Sequence, residues 1–345
     1  MAVVAIVTSA PPLTEGGHLV LARSLEQALI EAGHSVGIIT TPSNRFGRQG
    51  PAYLANWLTD VGMTGTGQKV DQVISLRFPA YAVRHSNHVC WLVHTMREYY
   101  DGWDRFASTL SPQGRVKETT RRSLIRAADT YFLKRVKKLY TISQVVSDRL
   151  TKWNHLPSEA LHPPPPPRAY RCDGYGDFVF FASRLSPLKR ADLVLRALAE
   201  PPARRVRAVI GGEGEELPRL QALARELNIA DRITFTGRLT DDALVEQLAR
   251  CRAVVFVPKM EDYGFVTVEA FASAKPVITA SDAGGPLEFV RDRDNGRIVA
   301  PDAASLAGAI AEAMDDPAAA QRWGERGRAD VAALSWTKVA ARLVP

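Results

Sequence analysis

Short apolar runs alternate with longer amphipathic segments through most of the chain. The first run, at residues 3–9, is followed by a loop, a helix-periodic segment from about His18 to Ala32, and a second apolar run at residues 35–41. Apolar runs of this length predict buried strands, and Gly33 stands where a helix would end. The chain is therefore predicted to open with a strand, a helix and a second strand.

The alternation becomes more regular in the second half of the chain. Helices separate six predicted strands, which lie at residues 178–183, 206–212, 233–237, 253–257, 276–280 and 297–300. Strands that alternate with helices pair in parallel, because each helix carries the chain back across the sheet in a right-handed crossover. Each half of the chain is therefore predicted to be a doubly wound α/β domain.

Consecutive prolines at residues 163–167 separate the two halves. Such a run cannot join the interior of a sheet and favours stiff polyproline II, so it predicts a linker. A ligand for a proline-binding module is the alternative, which the position between two βα patterns disfavours. The predicted organisation is a first domain over residues 1–162, a linker over 163–168, a second domain over 169–330 and a C-terminal segment over 331–345.

Composition agrees with a globular protein of two domains. The length of 345 residues suffices for two cores of ordinary size, and 46% hydrophobic with 23% charged residues is typical of water-soluble folds. The apolar start predicts a first strand rather than a signal peptide. Cys90, Cys172 and Cys251 lack the spacing of a zinc or disulfide framework, which predicts reduced thiols and a cytoplasmic location.

Positive charge is concentrated in one stretch. Nine basic residues, with only Glu118 and Asp129 against them, lie between Arg115 and Lys138, so this stretch alone accounts for the net charge of +7. A helix is predicted to start near Pro112. Its apolar positions recur at helical spacing and are Val116, Leu124, Ala128, Tyr131, Phe132, Val136 and Leu139.

Two interpretations of this basic helix stay open. Its apolar side either packs in the domain core or, together with the positive charge, contacts an anionic acceptor or the anionic inner face of a membrane from the cytoplasm. No nucleic-acid-binding module accompanies the charge, so no nucleic acid partner is expected.

Two glutamates, Glu261 and Glu269, follow the predicted strand at residues 253–257. Glu261 falls in the loop at the carboxyl end of that strand, and Gly264 gives the backbone freedom before a helix that carries Glu269. Carboxylates accept hydrogen bonds from hydroxyls, and a helix N-terminus binds phosphate. The pair suits a molecule with hydroxyls at both ends and phosphate between them; the ordinary alternative is a solvated connection between strand and helix.

Arg184 and Lys189 lie directly after another predicted strand. A loop at the end of a strand can aim both cations at one point, where a diphosphate leaving group would develop negative charge; a surface ion pair is the alternative. Gly16 and Gly17 precede the first long helix, where glycine either lets amides approach phosphate or forms a tight turn. Gly212 belongs to a second glycine cluster between a strand and a helix.

Residues 260–290, MEDYGFVTVEAFASAKPVITASDAGGPLEFV, resemble the donor-site segment of the retaining glycosyltransferases of the GT4 family, which have the GT-B fold. The earlier segments FASRLSPLKR and GGHLVLARSLEQALIEAGHSV resemble the family in the expected order. The resemblance implies an α/β fold of the GT-B class, with two doubly wound Rossmann-like domains facing across a cleft. It also implies that a last helix, from about Ser335, braces the first domain.

The resemblance assigns roles to individual residues. Glu269 would hold ribose hydroxyls, Glu261 the 3- and 4-hydroxyls of the sugar, and Arg184 and Lys189 the diphosphate. His94, at the end of an apolar run, would contact the transferred sugar. The remaining implied contacts with the nucleotide are Gly16, Gly17, Gly212, Gly237, Arg238, Gly264, Phe265 and Val266. Residues 97–100 are expected to shape the acceptor pocket.

The implied function is retaining transfer of a hexose-type sugar from a UDP- or GDP-sugar to a glycan, a lipid-linked carrier or a small metabolite. No cofactor is expected, and a front-face mechanism is expected because no carboxylate is placed as a nucleophile. Asp292 and Asp294 have a metal-binding spacing, but RDRDNGRIV is typical of a helix end and an Asn-Gly turn, so no metal is expected. A sugar-nucleotide epimerase or phosphorylase, and a non-catalytic nucleotide-sugar-binding protein, are the alternatives.

Overall fold

The computed structural model describes residues 1–11, 16–43 and 46–345. Contacts between Cα atoms divide the chain into two compact units. The first unit contains Met1–Pro163 together with Ser335–Pro345, and the second contains Pro164–Leu334. The boundary therefore falls within the run of prolines.

The first unit is a parallel six-stranded sheet with helices. Its strands are β1 (Val3–Ala10), β2 (Ser35–Pro42), β3 (Gln72–Ser75), β4 (His88–Leu92), β5 (Lys138–Thr141) and β6 (Glu159–Ala160), in the spatial order β2-β1-β3-β4-β5-β6. Its helices in this part of the chain are α1 (Gly17–Glu31), α2 (Gln49–Leu58), α3 (Trp103–Ser108), α4 (Pro112–Leu133) and α5 (Gln144–Asn154). Ile6, Ile74 and Trp91, on the central strands, are completely buried, as expected for a sheet covered on both faces.

The second unit repeats this architecture with a different strand order. Its strands are β7 (Phe178–Ala182), β8 (Arg207–Gly211), β9 (Ile233–Gly237), β10 (Ala253–Val255), β11 (Val277–Ala280) and β12 (Gly296–Val299), ordered β12-β11-β10-β7-β8-β9. Its helices are α6 (Ala191–Ala199), α7 (Leu217–Glu226), α8 (Asp241–Arg250), α9 (Phe265–Ala272), α10 (Ala303–Asp315) and α11 (Pro317–Val331).

The strand order of the second unit creates a switch point between β7 and β10. The chain moves from β7 outward to β9, then returns to the other side of β7 and continues from β10 to β12. The loops after β7 and β10 therefore diverge at the carboxyl edge of the sheet, and such a divergence opens a crevice in which doubly wound proteins bind ligands. The residues that follow these two strands are the ones for which the sequence predicts chemistry.

The last helix, α12 (Trp336–Leu343), packs on the first unit. The amide of Gln72 donates to the carbonyl of Leu343 at 2.6 Å, and the rings of Trp91 and Trp336 meet edge to face at 6.3 Å. Arg342 pairs with Glu159 of β6 at 2.8 Å. Nowhere in the described residues is there a helix with the length and apolar character needed to span a membrane.

The buried face of α4 differs from the prediction. Val116, Leu124 and Tyr131, predicted on the apolar side, are 71%, 66% and 55% exposed. The buried stripe of the helix instead consists of Glu118, Ile125, Asp129 and Leu133. The interpretation in which this apolar side packs in the domain core is therefore wrong for these three residues. Two of the actual core positions carry carboxylates, which a pattern of apolar residues does not reveal.

Asp129 is completely buried and is satisfied by tyrosine hydroxyls. Tyr53 and Tyr81 donate to its Oδ1, and Tyr100 donates to its Oδ2 at 2.7 Å. Burial raises the pKa of Asp129 to about 6, and the three hydroxyls oppose that rise. Hydrogen bonds thus allow a carboxylate to replace an apolar side chain in this core.

A second difference concerns the connection between β11 and β12. A helix was expected to separate these strands, but the backbone makes only a short 3-10 turn at Gly285–Glu288.

Candidate functional site

An ion pair joins the loops that diverge at the switch point of the second unit. Lys189 closes a 3-10 turn (Pro187–Lys189) after β7, and Glu261 lies in the loop after β10. The Nζ of Lys189 donates to Oε2 of Glu261, and the two side chains are 21% and 20% exposed. Two residues predicted for the site, separated by 72 positions in the chain, therefore meet at the edge where the strand order places a crevice.

The backbone of Glu261 is fixed by the loop that follows β11. Its amide donates to the carbonyl of Ala283 at 2.7 Å, and its carbonyl accepts from the amide of Gly285 at 2.8 Å. Gly284 adopts φ +79°, and a Cβ there would lie 2.5 Å from the carbonyl oxygen of Glu261. Only glycine permits this close approach, so the Gly284–Gly285 pair acts as the support of Glu261.

Arg190 connects the same loops, although no sequence motif marks it. Its guanidinium donates to the carbonyls of Val257 and Pro258 at 2.7 and 2.6 Å and forms a bidentate pair with Asp282 at 2.6 and 3.0 Å. One side chain after β7 thus holds the segments that follow β10 and β11. No local spacing pairs Arg190 with a residue 92 positions away.

Arg184 is exposed on the loop that follows β7. The glycine cluster packs against the backbone of this loop. Gly212 has φ +129°, and a Cβ there would lie 1.8 Å from the carbonyl oxygen of Ser183. Gly214 likewise leaves no room for a Cβ, which would lie 2.1 Å from the carbonyl oxygen of Leu185. The glycines therefore allow the two backbone segments to approach each other closely at Ser183 and Leu185, the residues on either side of Arg184.

Helix α9 begins beside Glu261 with Gly264 as its N-cap. Gly264 has φ +84°, and Phe265 and Val266 are the first two helical residues. Amides at this end of a helix have no acceptor within the helix, and the helix dipole adds positive potential there. The start of α9 can therefore donate hydrogen bonds to an anion.

Glu269, within α9, is buried and held by two residues that follow the prolines. Arg168 donates to its Oε1, and the Tyr170 hydroxyl donates to the same oxygen at 3.2 Å. A second nitrogen of Arg168 pairs with Asp241, at the start of α8, at 2.8 Å. Burial raises the pKa of Glu269, and Arg168 and Tyr170 act against that rise.

Gly237 and Arg238 lie at the carboxyl end of β9. Gly237 adopts φ +65°, and its carbonyl accepts from the amide of Gly212 at 2.8 Å, while the Arg238 side chain is exposed. The end of β9 is thus joined to the glycine cluster that supports the Arg184 loop.

The other predicted site residues belong to the first unit. Gly16 caps α1 in an extended conformation, with φ −167°, and Gly17 is the first helical residue; residues 12–15 of the same loop lie outside the described residues. His94, two residues beyond β4, is half-buried, and its Nδ1 lies 2.8 Å from the carbonyl oxygen of Thr95. Tyr99 and Tyr100 are core residues, whose hydroxyls donate to Glu118 and Asp129.

Asp292 and Asp294 pair with neighbouring arginines. Asp292 accepts from Arg297 at 2.9 Å, and Asp294 accepts from Arg291 at 2.8 Å. Across residues 1–11, 16–43 and 46–345, no three His, Cys, Asp or Glu side chains are grouped closely enough to hold a metal ion.

Comparison with known sequences identifies the second unit. Residues 170–330 match the family model described as Glycosyl transferases group 1. Over 177 residues the chain is 37% identical to a D-inositol 3-phosphate glycosyltransferase of Nocardia farcinica (strain IFM 10152), a match that covers 48% of this chain and 39% of that protein. The chain thus spans about two fifths of the length of this relative. These matches confirm the predicted resemblance to glycosyltransferases for this part of the chain.

Solved structures resemble the whole chain. Sucrose-phosphate synthase from Thermosynechococcus elongatus has a TM-score of 0.78 at 19% identity, covering 98% of this chain and 97% of that one. Anabaena HepE in complex with UDP-glucose has a TM-score of 0.71 at 17% identity, covering 98% of both chains. At such identities the likeness shows the fold, and it confirms the predicted GT-B class.

Proposed function

Because residues 170–330 form a glycosyltransferase group 1 domain, we propose that this protein is a retaining glycosyltransferase that uses a nucleotide-diphosphate sugar. The observation that carries the proposal is the meeting of Lys189 and Glu261 at the switch point of the second unit. A cation for a leaving diphosphate and a carboxylate for sugar hydroxyls stand side by side, which is what departure of a sugar from a diphosphate requires.

The proposed donor contacts follow from the chemistry of each group. Glu269 accepts hydrogen bonds from the ribose, and Glu261 accepts them from the 3- and 4-hydroxyls of the sugar. Arg184, Lys189 and the first amides of α9 stabilise the negative charge that grows on the departing diphosphate. Gly212, Gly237 and Arg238 border the nucleotide. For Gly16, Gly17 and His94, in the first unit, the ligand roles that the resemblance implies stay predictions.

Retention is assigned to a front-face route. No carboxylate is assigned as a nucleophile on the sugar, because Glu261 and Glu269 are assigned to hydroxyl groups of the sugar and of the ribose. In the proposed step the bond from the sugar to the diphosphate breaks, the acceptor oxygen attacks from the same face, and the leaving phosphate takes the acceptor proton. Arg184 and Lys189 supply the positive charge that a metal ion supplies in other transferases, and neither a metal nor a cofactor is required.

The acceptor is a glycan, a lipid-linked carrier or a small metabolite. The relative from Nocardia farcinica is named for D-inositol 3-phosphate, which makes an inositol phosphate the first small metabolite to test. We place the protein in the cytoplasm, with α4 in contact with anionic lipid or an anionic acceptor. This contact is supported by Val116, Leu124 and Tyr131, which are exposed beside the basic residues of that helix.

A donor screen and two charge-removing variants test the proposal. Thermal unfolding is measured with UDP-, GDP- and ADP-sugars, since a bound donor stabilises the folded protein by mass action. Glu261→Gln and Lys189→Ala should lower turnover about a hundredfold or more, because each removes a charged contact to the reacting region. Glu226→Gln and Arg207→Ala, exposed sites in the same unit, should keep wild-type turnover.

Turnover assays with the same donors also separate the alternative functions. Turnover without any acceptor would indicate an epimerase, dependence on free phosphate a phosphorylase, and binding without hydrolysis or transfer a non-catalytic protein. Wild-type turnover in Glu261→Gln and Lys189→Ala would contradict the assigned site.

A further inference from the structure

The segment that leaves the prolines reaches into the proposed donor site. Arg168 is 10% exposed, and its guanidinium spans two carboxylates from different elements, Glu269 of α9 and Asp241 at the start of α8. Tyr170, two residues on, donates its hydroxyl to Glu269 at 3.2 Å. The planar guanidinium presents donors in a fixed fork, which makes Arg168 suited to fix one carboxylate relative to another.

Both hydrogen bonds to Glu269 end on the same oxygen. Arg168 Nη1 and the Tyr170 hydroxyl both donate to Oε1. A carboxylate has two oxygens, each with two lone pairs, so engagement of one oxygen fixes the rotation of the group and leaves Oε2 to accept further hydrogen bonds. Two adjacent hydroxyl groups, such as those of a ribose, are suitable donors for an oxygen held in this way.

Arg168 also controls the charge of Glu269. Glu269 is 5% exposed, and burial favours the protonated form of its carboxyl group. The positive charge of Arg168 is the largest influence in the opposite direction. A protonated Glu269 would lose part of its capacity to accept hydrogen bonds, so the cation preserves the form of the side chain that a ribose diol needs.

We propose that Arg168 and Tyr170 are positioning residues for the nucleotide: they hold Oε1 of Glu269 so that Oε2 accepts hydrogen bonds from the ribose hydroxyls. The inference rests on the proposed function, because it assumes that Glu269 binds ribose. Neither residue touches the reacting atoms, and both act through Glu269. If Arg168 only holds α8 and α9 together, its removal should weaken binding of the ribonucleotide and of its 2′-deoxy form by the same factor.

Binding of a ribonucleotide and its 2′-deoxy counterpart distinguishes the two roles. The 345-residue wild type, Arg168→Met, Tyr170→Phe and Arg171→Met are titrated calorimetrically with UDP, GDP and ADP and with the 2′-deoxy form of whichever binds. Arg171 is the matched control, since it lies on the same segment but pairs with Asp173 and Glu246. Thermal unfolding of each variant reports folding, and Arg168→Lys replaces Arg168→Met if the latter does not fold.

The proposal predicts a loss of ribose discrimination. The wild type and Arg171→Met should bind the ribonucleotide roughly tenfold or more tightly than the 2′-deoxy form, as expected for a hydrogen bond to a charged group. In Arg168→Met the ratio should approach one near neutral pH and rise in part as the pH is raised, because Glu269 ionises again. Arg168→Lys keeps the charge without the fork, and Tyr170→Phe keeps Arg168, so both should give intermediate ratios.

Two results would overturn the inference. If Arg168→Met weakens both ligands by the same factor at every pH, Arg168 has only a structural role and the proposed function still stands. If the wild type binds none of the nucleoside diphosphates, the proposed function fails and the inference fails with it.

Discussion

At the residue scale, the two glutamates of the site are each held by a cation from another part of the chain. Lys189 contacts Glu261, and Arg168 contacts Glu269. The sequence could predict Lys189 because it lies in a strand-end segment that resembles a known family. It could not predict the positions of Arg168 and Arg190, because their partners lie about a hundred residues away and long-range pairing leaves no local spacing.

Gly284 provides a test of how the site is supported. In Gly284→Ala the new Cβ would lie 2.5 Å from the carbonyl oxygen of Glu261, and the residue would keep a strained φ of +79°. We expect the free energy of unfolding to fall by about 2–4 kcal/mol and turnover to fall more than stability explains.

Gly308→Ala is the matched control, because Gly308 lies inside α10 with nothing within 4 Å of the added Cβ. This change should stabilise the protein by about 0.5–1 kcal/mol through helix propensity and leave turnover unchanged. Urea unfolding and steady-state rates measure both variants. Equal stability and activity of Gly284→Ala and the wild type would show that the loop contact does not position Glu261.

At the element scale, the strands and helices themselves were easier to predict than the faces that they bury. The helix predicted from about His18 to Ala32 forms α1 (Gly17–Glu31), whereas packing of the apolar side of α4 in the core was wrong. The end of α1 is marked locally by Gly33, which has φ +86°. The face of α4 depends on three tyrosines that reach Asp129 from outside the helix, and no local pattern encodes them.

The buried carboxyl of Asp129 gives α4 a pH-dependent stability. Its pKa in the folded protein is about 6, above the ordinary value of 3.8. The folded state therefore binds the proton more tightly than the unfolded state, and the stabilisation is complete below about pH 4 and is lost as the pH rises to about 6.

We therefore compare the wild type with Asp129→Asn, in which the side chain cannot ionise. From pH 4 to pH 6.5, the wild type should lose about 2–3 kcal/mol of unfolding free energy relative to the variant. Urea unfolding across this range measures the difference, since other titrating groups contribute equally to both proteins. A constant difference between the two proteins would show that Asp129 does not ionise in this window.

At the scale of the whole molecule, two sheets of different strand order occupy one chain, and the last helix returns to the first unit. Alternation of strands and helices was sufficient to predict both sheets. It could not give the strand orders, because these depend on which crossovers reverse direction. It also left α2, α10 and α11 unassigned, although they contribute to the packing of the units.

Binding of the whole molecule to vesicles tests the proposed membrane contact. Arg115 and Lys117 are exposed near the start of α4. Reversal of both charges, with Arg115→Glu and Lys117→Glu, should weaken binding to anionic phospholipid vesicles by roughly tenfold or more. Each basic side chain near an anionic surface contributes about 1 kcal/mol of binding free energy.

The control for this experiment reverses two exposed arginines of the second unit, with Arg204→Glu and Arg205→Glu. Cosedimentation at two salt concentrations measures binding, and neutral phosphatidylcholine vesicles should bind neither protein. Equal loss in both double variants would assign the effect to net charge, and absence of binding by the wild type would remove the membrane proposal.

The most direct test of the central claim is the stereochemistry of sugar transfer. The 345-residue protein is incubated with the nucleotide sugar that stabilises it most and with candidate acceptors, and NMR determines the anomeric configuration of the product. The account predicts release of a nucleoside diphosphate and a product of retained configuration, both lost in Glu261→Gln and Lys189→Ala but kept in Glu226→Gln. An inverted product, no transfer from any donor, or undiminished transfer in the first two variants would contradict it.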